Sequence, residues 1–134
     1  MKKIQSSQPT FIPMLGRIKA GPATQDASFD EDPVSLDQYL VQHPGYTYLL
    51  RVSGDSMIDE GIKQGDLVIL DKKREPKNHD IVAALIDNEW TLKYFMNDQG
   101  EVYLKAANPK YPPLHPKESL SIGGVVVSVI KKYY

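Results

Sequence analysis

The sequence contains no cysteine. That excludes disulfides, zinc ribbons and thiol catalysis, and it suits a reducing cytoplasm. Histidine is scarce. His43, His79 and His115 stand far apart, with none of the short spacings that mark a metal centre, so neither a metal nor a cofactor is expected. A surplus of positive charge is also missing, since the formal net charge is −1. Gripping nucleic acid needs a basic surplus to neutralise phosphates, so direct sequence-specific DNA binding is not expected. No apolar run approaches the ~20 residues of a membrane span. Gln5-Ser6-Ser7-Gln8 stands where a signal peptide would carry its apolar segment. The expectation is a cytoplasmic chain without membrane contact.

What is present is an ordinary globular composition, 41% apolar and 25% charged. The length suits one modest core. Residues 1–33 differ from the rest. They carry Pro9, Pro13, Gly16, Gly21, Pro22 and Pro33 with an acidic stretch, Asp30-Glu31-Asp32, and no apolar period. They read as a flexible N-terminal arm, and 34–134 as the folded domain. Ser35 to Leu40 reads as a short helix, with Ser35 and Gln38 in a capping-box pattern. Strands follow at Tyr46–Val52, Leu67–Leu70, Ile81–Ile86, Trp90–Phe95, Val102–Leu104 and Gly124–Lys131. Asp87-Asn88 is a two-residue hairpin signal. The fold class expected is mainly β: a compact antiparallel body with one short helix and the arm.

One stretch asks for more than a turn. Val52-Ser53-Gly54-Asp55-Ser56-Met57 leaves a strand at a glycine and then presents a serine. A serine hydroxyl attacks only when a base takes its proton. None of the three histidines is placed for that. Lys93 is the candidate, in the strand Trp90-Thr91-Leu92-Lys93-Tyr94-Phe95. Alternation puts it on one face with Thr91 and Phe95, among bulky neighbours that favour burial. Burial can lower a lysine pKa by up to ~3–5 units, enough to supply a neutral general base. Gly54 would allow a sharp turn and a close backbone approach. The backbone N–H groups of Asp55 and Ser56 would then form an oxyanion hole, with Met57 and Ile58 anchoring the turn. The same residues also suit a plain capped turn. Lys93 could equally be a surface lysine with its stem along Phe95. The residues alone leave both readings open. The basic run Lys72-Lys73-Arg74-Glu75-Pro76-Lys77 reads as a solvated loop.

The combination of "SGDSM", "GDLVILD" and "DIVAALIDNEWTLKYF" resembles the catalytic domain of the LexA/UmuD family of self-cleaving serine–lysine proteases, whose fold is shared with signal peptidases. The resemblance runs from about Gly16 to the C-terminus. It implies Ser56 as nucleophile and Lys93 as general base, 37 residues apart (93 − 56). It also implies self-cleavage between a small residue and a glycine upstream, here Ala20–Gly21 in Lys19-Ala20-Gly21-Pro22.

Only 20 residues stand before Gly21, against the ~40 that mark the lower limit for unaided folding. A helix-turn-helix domain would not fit there, so the likeness is to the UmuD branch. That branch implies a homodimer, self-cleavage stimulated by a RecA filament on single-stranded DNA, and service of the shortened dimer to a Y-family, UmuC-like polymerase in translesion synthesis. Two other readings stand beside it. One is a non-catalytic module that binds a polymerase or RecA. The other is a phage or plasmid regulator built on the same domain.

Overall fold

The structure is a computed structural model and describes residues 8–18, 20–21 and 32–134. Residue contacts divide the chain into two units, Met1–Gln42 and His43–Tyr134.

In the first unit, Ile12 and Val34 form an isolated antiparallel bridge with reciprocal 2.8 Å hydrogen bonds. This pairing is more order than the absence of an apolar period in the arm suggests. It has no local period to announce it. Ala20 and Gly21 are both exposed. The expected helix is α1, Leu36–Leu40. Ser35 occupies the N-cap position, but its side chain makes no capping bond, so the capping box read from Ser35 and Gln38 does not form. Tyr39 N–H instead reaches the Ser35 carbonyl at 2.9 Å.

The second unit carries β1 (Thr47–Arg51), β2 (Leu67–Asp71), β3 (Ile81–Ile86), β4 (Glu89–Asp98), β5 (Glu101–Lys105) and β6 (Leu120–Ile130). They form one sheet in the order β1-β2-β6-β3-β4-β5, with every neighbouring pair antiparallel. The mainly β, antiparallel class is as expected. Four strands are longer than the pattern suggested, β2 and β5 by one or two residues and β4 and β6 by more. β4 continues to Asp98, and β6 begins at Leu120 because Gly123 and Gly124 stay within the strand. Asp87 and Asn88 both take positive φ, 46° and 69°, as a tight two-residue hairpin requires.

Alternating side chains fill two clusters. Val82, Ala84, Ile86, Leu104 and Val125 form one, with Phe95 against it. Met57, Ile62, Val68 and Ala107 form the other, with Leu92 and Tyr94 against it. The alternation of β4 thus sends Phe95 to one cluster and Leu92 and Tyr94 to the other. Each fully buried aliphatic side chain contributes ~1.5–3 kcal/mol, so Met57, 2% exposed, ties the Ser56 turn firmly to the second cluster. Ile58, expected to help it, is exposed and opens a 3-10 turn, Ile58–Glu60.

A buried carboxylate, Asp71, braces the end of β2. It accepts from His43 Nδ1 and from the Lys73 N–H at 2.9 Å. Burial pushes its pKa up, but His43, the Lys73 N–H and Arg74 outweigh this and hold it below the usual carboxylate value. In the loop beyond, the Lys72 and Lys73 amines lie over the rings of Tyr48 and Tyr46.

Candidate active site

The chain leaves β1 at Arg51 and must reverse. Val52 N–H donates to the Asp66 carbonyl at 2.8 Å, and Gly65 N–H to the Val52 carbonyl at 2.9 Å. Gly54 then takes φ +89°, a left-handed conformation that costs other residues. The reversal delivers Asp55, Ser56 and Met57 beside β4.

Lys93 is 7% exposed. Its Nζ lies 3.0 Å from Ser56 Oγ and 2.5 Å from Thr91 Oγ1. The structure therefore brings together the serine and the lysine singled out by sequence. It also places Thr91 beside them, on the shared strand face. Among the described residues no carboxylate lies within ion-pair distance of the amine. Burial alone pushes the Lys93 pKa below its ordinary 10.5. In the charged state the ammonium donates to Ser56 Oγ, and the serine hydroxyl donates to the Leu92 carbonyl at 3.4 Å. Loss of one ammonium proton frees a lone pair directed at the serine, which can then donate the other way.

Among the described residues the Ser56 backbone N–H has no acceptor, whereas the Asp55 N–H lies against its own carboxylate. The Ser56 N–H is thus placed to donate to an incoming oxygen. None of the three histidines lines the cavity. His43 is on Asp71, His115 stacks on Tyr103 at 5.0 Å, and the His79 N–H donates to the Phe95 carbonyl.

The cavity around the pair holds about 200 Å³ and is lined by Ser56, Lys93, Thr91, Trp90 and Tyr111, among others. It adjoins a groove of about 590 Å³ along β1 and β4, walled by Tyr48, Leu50, Val52, Leu70 and Trp90. Val52, Ser53, Trp90, Thr91 and Leu92 border both. β5 pairs only with Tyr94–Asp98, so among the described residues Glu89–Lys93 have β3 as their one strand neighbour. Among those residues this leaves an edge of β4 unpaired next to the serine. Trp90 lies across Gly123, where a β-carbon would sit 2.6 Å from the indole.

Sequence reasoning missed the segment 105–113. It leaves β5, returns to the Leu104–Leu114 bridge, and holds the serine turn on the way. In the sequence, Asn108 and Tyr111 stand in a proline-rich stretch, Asn108 to Pro116. Their partner lies more than fifty positions away, and no local pattern marks such a contact.

Residues 13–127 match the protein family described as Peptidase S24-like. The chain belongs to the peptidase S24-like family. Within that family it is similar to LexA repressors. It is 43% identical over 125 residues to the LexA repressor of Mycolicibacterium smegmatis, covering 93% of this chain and 51% of that protein. It is 42% identical over 125 residues to those of Mycobacterium sp. (strain KMS) and Mycobacterium leprae, covering 93% of this chain and 54% and 52% of them. The chain thus spans about half the length of these S24-like relatives.

Proposed function

We propose that this peptidase S24-like chain is an autocatalytic serine endopeptidase of the DNA-damage (SOS) response, cutting its own Ala20–Gly21 bond. Neutral Lys93 takes the proton of Ser56 as Oγ attacks the Ala20 carbonyl carbon. The Ser56 N–H receives the developing oxyanion. As the tetrahedral adduct collapses, the Lys93 ammonium returns the proton to the Gly21 nitrogen, and the acyl-enzyme on Ser56 forms. Water then attacks that ester, giving a proton to Lys93, which passes it to Ser56 Oγ as the ester bond breaks and the Ala20 carboxylate leaves. Metal and cofactor have no part in these steps.

The observation that carries this reading is the 3.0 Å Lys93–Ser56 contact in a pocket that lowers the amine's pKa. The groove supports it. The segment around Ala20–Gly21 would lie extended along the open edge of β4, pairing as an added strand. Small residues at the scissile bond allow the backbone to come close.

The downstream role is part of the same proposal. In the UmuD-type reading, a RecA filament favours the docked arm, and the shortened homodimer serves a Y-family polymerase in the cytoplasm. A second reading has a specific support. The relatives above are LexA repressors of about twice this length, so the same cleavage would act as the off-switch of a repressor. Both readings need the same catalytic pair, whereas a purely non-catalytic binding module does not. The test is the Ser56→Ala variant, incubated beside the unaltered protein at alkaline pH with N-terminal sequencing of the products. Cleavage after Ala20 in the unaltered protein alone supports the proposal. Cleavage of the variant at the same rate eliminates it.

A further inference from the structure

The segment after β5 runs along the serine turn and fastens it at three residues. The Tyr111 hydroxyl donates to Asp55 Oδ1 at 2.5 Å, and Asn108 Nδ2 donates to the Asp55 carbonyl at 3.0 Å. The Ala107 N–H reaches Met57 Sδ at 3.4 Å, and the Asp59 N–H reaches the Ala107 carbonyl at 2.8 Å. Lys110 Nζ lies 3.8 Å from the other Asp55 oxygen. Ser56 sits between fastened neighbours on both sides.

Tyr111 has a second face. Its ring lines the cavity that holds Ser56 and Lys93, with the centroid 6.0 Å from Lys93 Nζ. That is the outer limit of a cation–π contact, so the ring acts as a wall beside the amine rather than as a partner for its charge.

We infer that Tyr111 is a positioning residue for the proposed self-cleavage, its hydroxyl fixing the Asp55–Ser56 turn while its ring walls the base. The inference rests on the reading of Ser56 and Lys93 given above. Packing alone does not call for the hydroxyl. Tyr111 lies at the surface, where water would satisfy an O–H, and phenylalanine would fill the same space. What the hydroxyl adds is a strong, charge-assisted bond to a carboxylate one residue from the nucleophile. A displacement of about 1 Å at a reacting atom costs on the order of 100-fold in rate.

The groups facing the ring and hydroxyl are Asp55, Lys110 and Lys93. The Tyr111 hydroxyl keeps Asp55 below its usual pKa, and Asp55 in turn raises Tyr111.

The experiment measures self-cleavage rate against pH for the unaltered full chain, Tyr111→Phe, Tyr111→Ala, Asp55→Ala, the Asp55→Ala/Tyr111→Phe double variant and Ser56→Ala, with a melting temperature for each. Tyr111→Phe is expected to cleave about 10-fold to 100-fold more slowly, with an unchanged pH midpoint and melting temperature. Tyr111→Ala, which removes the wall, is expected to move the midpoint toward the ordinary lysine value. In the Asp55→Ala background, Tyr111→Phe is expected to cost nothing further. If Tyr111→Phe cleaves at the unaltered rate, or loses rate only in step with a lowered melting temperature, the inference is overturned and the Ser56–Lys93 reading stands. An equal loss in the Asp55→Ala background overturns it as well. If the unaltered chain stays intact at every pH, or Ser56→Ala still cleaves, both fall.

Discussion

Replacing Lys93 by methionine separates the cost of a buried amine from its use. Lys93 is 7% exposed, and among the described residues it has no ion-pair partner. Its folded pKa therefore lies below the ordinary 10.5, with burial as the cause. The sign follows from proton counts. Between the lowered folded pKa and the ordinary value, the unfolded chain binds more protons than the folded one. Stability then rises with pH, by up to about 1.4 kcal/mol per pH unit. Below that window the full penalty applies, and above it the penalty is gone. Methionine keeps an apolar chain of similar length and carries no charge. At a single pH the difference between the two proteins also contains the lost bonds to Ser56 and Thr91, about 1 kcal/mol each. The slope does not. Urea unfolding of both proteins from pH 7 to 10.5 should show the unaltered protein gaining on Lys93→Met by that slope inside the window, with other titrating groups cancelling. Parallel curves would mean that the amine titrates as in water, and the argument for a neutral base would be wrong.

Two further outcomes follow from the geometry. Gly54→Ala places a β-carbon in open space but at φ +89°, so backbone strain alone should cost about 1–2 kcal/mol. Thermal unfolding reads that loss, and cleavage should fall by more than about 10-fold as the serine shifts. Gly123→Ala sets a β-carbon 2.6 Å from the Trp90 ring, and the exposed indole should swing away from β6. Trp90 is the sole tryptophan of the sequence, so a change in its emission reports the movement directly, and an unchanged spectrum would contradict the packing described.

Much of the sheet was legible because alternation is a local signal. Ile81–Ile86 and the Asp87-Asn88 turn can be read directly, since β-branched residues and two left-handed positions carry their own signatures. β6 was harder. The strand was expected only from Gly124, yet it begins at Leu120, and Gly123 and Gly124 lie in it where Trp90 and Leu70 occupy the space a side chain would need. Ser35 fits a cap by type, but its side chain makes no such bond. In the site, the residues alone offered Lys93 as a base for Ser56 beside the plainer reading of a capped turn and a surface lysine, and the family resemblance favoured the first. The hydrogen bond from Lys93 to Thr91 follows from their shared strand face. The hold of Asn108 and Tyr111 on Asp55 arises only when β5 and the serine turn pack together, and periodicity cannot register it.

The central claim is that a desolvated amine activates Ser56 against the chain's own arm. The rate of appearance of the fragment beginning at Gly21, measured by mass spectrometry from pH 6 to 11 in purified protein, tests it most directly. The account predicts a rate that climbs with pH, levels off below the ordinary lysine value of 10.5, and vanishes in Lys93→Met. A rate independent of pH, or one that survives loss of the amine, would contradict it.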